Sequence, residues 1–185
     1  MEKLVQSFGG HYIDGAILAW PSQIGHEETT ILASGEPAVF EQIQGILSSL
    51  AGNLTFMGAD IAASSALFSA VLSYLAGEWI GFCHGALICE KEGLDVKSFG
   101  TLMHTLSPVL GAELAHMGQV IADDDFYKPE STLKTTGGDL VRLLQHSHEA
   151  GINDELPKFA SSMFAKAIAA GYGGEEHAAL IKVLR

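Results

Sequence analysis

Residues 61–92 read IAASSALFSAVLSYLAGEWIGFCHGALICEKE. Between Ile61 and Cys89 this stretch holds one acidic residue, Glu78, one histidine, His84, and no Lys, Arg or Pro. Phe68, Leu72, Leu75, Trp79 and Phe82 follow in alternating steps of four and three, which places them on one face of a helix. At about 1.5 Å per residue the stretch makes a rod on the order of 45 Å long. A second set, Ser65, Ser69, Ser73, Gly77, Gly81 and Gly85, recurs every fourth residue. Each such step turns a helix by about 400°, so this small-residue ridge drifts round the rod and invites close approach by other helices. Glycine inside a helix costs about 1 kcal/mol against Ala, so three of them imply a packing reason. The rod is therefore expected to be wrapped on most sides. Its apolar length is nearly that of a membrane span. Glu78, the many Ser and the lack of Lys/Arg anchors at its start oppose that reading.

Outward from the rod the chain changes character. On its N-terminal side, Met1 to Phe8 reads as a helix stopped by Gly9-Gly10, and Tyr12 to Ala19 as a strand. Trp20 to Gly25 is a loop, and Thr29 to Gly35 a second strand. A helix opens at Pro37 and runs to about Leu50, and Asn53 to Met57 forms a third strand. Parallel pairing is expected across the helical crossover. Residues 1–57 are too few to close a two-faced sheet, and read as the trailing end of a nucleotide-binding fold whose beginning is absent.

On the other side, Gly93 ends the rod and Asp95 caps a helix into His104. Ser107-Pro108 reads as a cap and first-turn proline opening another helix to about Ala122. Asp123 to Asp125 is an acidic turn, without the spaced oxygen ligands of a calcium loop. Ser131 to Ala150 is helical with a weak point at Gly137-Gly138. Pro157 to Ala170 and Gly174 to Arg185 are the last two helices. The domain reading is thus 1–57 and 58–185, α/β first and all-helical afterwards.

The chain has 185 residues, 48% hydrophobic and 17% charged, with a formal charge of −12. That composition builds one good core. The charge opposes binding to nucleic-acid phosphates. Met1 to Gly10 lacks the layout of a signal peptide, and Cys83 and Cys89 lie about 240° apart on the rod, so they do not pair. A cytoplasmic location fits. There is no G-x-G-x-x-G after a strand, no P-loop and no G-x-S-x-G. The eight histidines form no convincing metal set.

Tyr12 to Gly25 (YIDGAILAWPSQIG) and Thr30 to Gly35 (TILASG) carry a resemblance. It continues through Ala66 to Leu75, Glu149 to Ile152, Ala170 to Gly173 and Ala178 to Arg185. In this order the segments resemble imine reductases and reductive aminases, of the 6-phosphogluconate and β-hydroxyacid dehydrogenase superfamily. The resemblance implies a mainly α fold: a long interdomain helix and a C-terminal helical bundle, preceded by a small α/β remnant of a Rossmann domain. It implies an intertwined homodimer, NADP as cofactor and a small imine or carbonyl substrate, with no nucleic-acid or membrane partner. It also implies that this chain, without the glycine-rich loop, does not hold NADP alone. The alternative is a non-catalytic dimerisation module.

The family's proposed proton donor, an Asp or Tyr on the long helix, corresponds to Phe68, which has no proton to give. Some members carry a Tyr eight residues on, where this chain has Ala76. Tyr74 lies about 240° from Phe68 and is a poor substitute. Ser64, Leu72 and Leu75 share the face of Phe68 and are candidates to line the substrate pocket. Thr135 and Thr136 match a helix stretch that lines the family's pocket, and Trp20, Pro21 and Ser22 match the loop near the nicotinamide. For each of them plain packing is the competing reading.

Overall fold

The computed structural model describes residues 1–185. The chain divides into two compact units, Met1–Gly77 and Glu78–Arg185.

The first unit opens with α1 (Glu2–Ser7), stopped at Gly9, whose φ is +74°. Its sheet has the order β1 (Ile13–Leu18), β2 (Thr30–Gly35), β3 (Asn53–Phe56). β2 and β3 pair in parallel, Thr30 opposite Asn53 and Ala33 opposite Phe56. The expected crossover is α2 (Pro37–Leu47). It ends three residues short of the expected Leu50, in a turn in which Leu50 N–H donates to the Leu47 carbonyl at 3.0 Å. β1 and β2 are antiparallel, Ile13 opposite Gly35 and Leu18 opposite Thr30. The central strand β2 is buried from Ile31 to Gly35, as a strand covered on both faces must be. The Phe40 ring on α2 stacks on Phe56 at 4.4 Å between centroids. Behind β3 the chain comes so close that a Cβ on Gly52 would strike the Glu27 backbone.

The helix α3 (Ala63–Lys91) belongs to both units. Gly93 stops it as expected: its φ is +71°, and Leu94 N–H reaches back to the Cys89 carbonyl at 2.8 Å. The chain itself covers little of this rod. Ser64, His84 and Cys89 are buried, whereas Leu72, Tyr74, Trp79, Ile80 and Phe82 are exposed. Of the three ridge glycines, Gly85 is in close contact, since a Cβ there would lie 2.8 Å from the Phe99 ring. Gly77 and Gly81 face open space.

The second unit contains α4 (Val96–Asp123), α5 (Leu133–Ala150), α6 (Glu155–Ala167) and the short α7 (Ile181–Leu184). Asp95 caps α4, accepting from Ser98 N–H at 2.8 Å. The helix does not restart at Ser107-Pro108. Pro108 lies inside α4. A mid-helix proline leaves the carbonyl four residues earlier without its donor. Here that carbonyl belongs to His104, and the Ser107 hydroxyl donates to it at 2.8 Å, so one continuous helix replaces the expected two.

Gly137 does not weaken α5; it is buried because a Cβ there would come within 2.9 Å of Ile168. α6 begins before Pro157 and gives way at Ile168–Tyr172 to a wider π turn, closed by Gly171 at φ +96°. The expected helix from Gly174 is shorter and broken. Glu176 instead pairs with Thr132 as an isolated antiparallel bridge, and Leu133 N–H donates to the Glu175 carbonyl at 2.8 Å. A 3₁₀ turn, His177–Leu180, then leads into α7. The bridging segment spends its backbone groups on the chain before α5, so it cannot also be helical. The unit's core is Val120, Phe126, Leu133, Ala167, Ala178 and Ala179.

Candidate functional site

In the first unit the polar groups converge on Asp14. Its Oδ2 accepts from Ser64 Oγ at 2.8 Å and from Ser65 Oγ, and its Oδ1 accepts from Tyr12 OH at 3.0 Å. Ser34 Oγ lies 2.8 Å from Ser64 Oγ and donates to the Ile61 carbonyl at 3.0 Å. β1 and β2 thus grip the first turn of α3 through side chains. The Ser65 and Ser64 hydroxyls hold the Asp14 carboxyl below its ordinary value, and the hydrogen bond to Asp14 raises the Tyr12 phenol. A depressed carboxylate contributes stability above its unfolded value and loses it as pH falls through the folded one. Asp14→Asn is therefore expected to flatten the acid side of the stability profile. Urea unfolding at neutral and at acid pH measures this, and an unchanged acid slope in the variant would rule it out.

Ser64 is fully buried, and this network occupies its hydroxyl. Phe68, one turn on, is half-buried; Leu72 is exposed and Leu75 half-buried on the same side of α3. Pro21 and Ser22 are exposed in a 3₁₀ turn, Pro21–Gln23. Trp20 precedes it, and Gln23 Oε1 accepts from the Trp20 backbone N–H at 2.8 Å.

In the second unit Thr135 and Thr136 part ways. Thr135 belongs to the helix cap: its N–H donates to Thr132 Oγ1 at 3.2 Å. Thr136 Oγ1 instead meets His177 Nε2 at 2.7 Å. His177 borders a cavity of about 560 Å³ lined from α4 by Glu113 and His116. The loop before α5 adds Lys128, Glu130 and Ser131, and Glu176 completes the wall. His116 Nε2 lies 2.7 Å from Glu176 Oε2, and His177 Nδ1 lies 4.0 Å from Glu113 Oε1.

The sequence reading passed over His116, His177, Glu113 and Glu176. A search for metal-ligand spacings does not find them, since 60 residues separate His116 from Glu176. The available signal was weak: Glu113 and His116 fall three apart on one helix face, and Glu176-His177 are adjacent in a polar stretch.

Residues 60–185 match the family described as NADPH-dependent reductive aminase-like, C-terminal domain. An NADPH-dependent reductive aminase of Aspergillus oryzae is 29% identical over 190 residues, covering 100% of this chain and 64% of the relative. Among solved structures, an imine reductase from Pseudomonas sp. overlays with a TM-score of 0.92 at 26% identity, over 99% of this chain and 64% of its own. A reductive aminase from Aspergillus terreus, in complex with NADPH and ethyl levulinate, overlays at 0.91 and 26%, over 100% and 65%. The chain thus spans just under two thirds of the length of these relatives. With two thirds of its residues matched as one domain and its whole length overlaid on these enzymes, the chain belongs to the family of NADPH-dependent reductive aminase-like C-terminal domains.

Proposed function

We propose that the chain is the helical, substrate-binding part of an NADPH-dependent oxidoreductase of imine reductase type, acting on C=N or C=O bonds in the cleft of a homodimer. The observation that carries the reading is the family match over residues 60–185. The residues present do not fit the cofactor's phosphates. The one helix that directly follows a strand, α2, has Glu36 at its N-cap and Pro37 at its first position, a carboxylate and a missing N–H where a pyrophosphate needs donors. Calorimetry is therefore expected to find no micromolar NADPH binding to the 185-residue chain, and a micromolar isotherm would contradict this. The activity itself is tested in a protein that carries this chain behind a dinucleotide-binding domain. Loss of NADPH absorbance with a cyclic imine is the expected result, and none with any imine or ketone would sink the reading.

The exposed rod supports the dimer. An 18-residue window of α3 has a mean hydropathy of 1.4, and none of it is buried by the chain. A groove of about 390 Å³ runs beside Trp79, Ile80, Cys83 and Leu87. A second copy covers this surface without a membrane. Light scattering in detergent-free buffer at micromolar concentration should give about twice the chain mass. Gly81→Leu should lower that mass and leave the fold intact, because a Cβ at 81 meets nothing within 4 Å in its own chain. A monomeric parent, or a fully dimeric variant, would refute the proposal.

A non-catalytic dimerisation module is the second reading. Phe68 favours it, because it removes the acid from the position where the family carries one.

A further inference from the structure

We propose that Asp14 is a positioning residue for the substrate pocket. By holding the hydroxyls of Ser64 and Ser65 on one carboxylate, it fixes the rotational setting of α3 and so the direction in which position 68 meets the substrate. The inference deepens the reductase reading and rests on it for the use of the pocket; the clamp itself is present whatever the pocket does.

α3 begins at Ala63, so Ser64 and Ser65 are its second and third residues. A helix turns by about 100° per residue. With Ser64 at zero, Ser65 lies at about 100°, Phe68 at about 40°, Leu72 at about 80° and Leu75 at about 20°. The three pocket candidates therefore all fall within the sector that the two serines bound. A helical side chain covers the turn on the N-terminal side of its own Cα, which puts position 68 over the clamp.

Ser64 is anchored even without Asp14. Its backbone N–H donates to Ser34 Oγ at 3.3 Å, its hydroxyl lies 2.8 Å from the same oxygen, and both side chains are fully buried. One such point of attachment lets a helix pivot about it. Ser65 adds the second point, bonding Asp14 Oδ2 beside the Ser64 hydroxyl, which donates there at 2.8 Å. Ser65 is exposed, and a hydrogen bond open to water adds little stability. What this bond adds is direction. The carboxylate is itself fixed: Tyr12 OH holds its Oδ1 at 3.0 Å, and its strand is paired with β2 from Ile13 to Leu18. Side chains stand about 5–6 Å from a helix axis, so a turn of about 10° moves the group at position 68 by about 1 Å. A misplacement of that size costs up to about 10²-fold in rate.

The test uses this chain behind a dinucleotide-binding domain, with methylpyrroline, a prochiral cyclic imine, as substrate. The ratio of product enantiomers does not depend on how much of the enzyme is folded, so a merely structural role leaves it unchanged. Ser65→Ala and Asp14→Ala should each change that ratio severalfold and lower kcat by about 10–10²-fold. Ser65→Thr, which keeps the hydroxyl, should return both to the parent values. Ser65→Ala removes an exposed group and keeps the fold should Asp14→Ala lose it. A crystal structure of the Ser65→Ala form of the 185-residue chain should show the first turns of α3 rotated against β1 and β2 by about 10°. A parent enantiomer ratio in Ser65→Ala, or an unrotated helix, would overturn the proposal and leave the reductase reading standing. Absence of NADPH oxidation in the parent would sink that reading instead, and the crystal structure would then decide the clamp by itself.

Discussion

Phe68→Asp should raise turnover of a neutral ketone by about 10²–10⁴-fold, the usual contribution of a positioned acid, in a protein that carries this chain with a dinucleotide-binding domain. A carbonyl oxygen needs a proton as its carbon is reduced, and Phe68 has none to offer. A preformed iminium needs no such proton and should gain little. The local structure favours a protonated carboxyl at this position. Position 68 is half-buried and lies one helical turn beyond Ser64 and Ser65, whose hydroxyls hold the Asp14 carboxylate. Leu72 and Leu75 share its side of the helix. A nearby like charge and an apolar surround both raise a carboxyl pKa, which keeps the new acid able to donate. Parallel assays of the two substrate classes, with the fold checked by circular dichroism, provide the measurement. Equal ketone turnover in parent and variant would place the acid elsewhere.

Phe126→Ala should destabilise the helical unit by about 3–5 kcal/mol, the usual cost of removing a fully buried phenyl ring. Phe126 is 0% exposed and packs in the core with Leu133 and Ala179. Its ring also lies under the Lys182 ammonium, 4.1 Å from Nζ to the centroid, with Tyr172 at 4.8 Å. Lys182 is bound to Glu175 at 2.6 Å, and both side chains are largely buried. Burial lowers the Lys182 pKa, but the hydrogen bond and charge of Glu175 carry it above its ordinary value. Removing the ring thus opens a cavity and takes away a cation–π partner at once. Urea unfolding followed at the helical band reads the change, and a loss under about 1 kcal/mol would mean that the surrounding helices collapse into the space.

The elements that local rules govern were legible. The rod, the Asp95 cap, the Gly93 stop and the parallel β2–β3 pair all follow from spacing and from residues near in sequence. The misreadings arose where a distant or unexpected partner decided the outcome. Ser107-Pro108 has the signature of a helix start, but the Ser107 hydroxyl satisfies the carbonyl that the proline orphans and the helix continues. Gly174 to Glu176 has no local reason to leave a helix; Thr132, over forty residues earlier, supplies it. The candidate site divides in the same way. Phe68, Leu72 and Leu75 stand on one face by periodicity alone. The adjacency of His116 and Glu176 depends on the chain's final turn folding back.

That return has a consequence for local opening. Chain ends usually fray at almost no cost in free energy. Here the residues directly after the cavity wall, Ala178 and Ala179, are 2% and 0% exposed, and the wall's own backbone is tied to Phe126 and Leu133. Releasing Glu176 and His177 therefore means breaching the core. Amide hydrogens at Leu133 and Glu176 belong with the slowest-exchanging class of this unit, although the second lies only nine residues from Arg185.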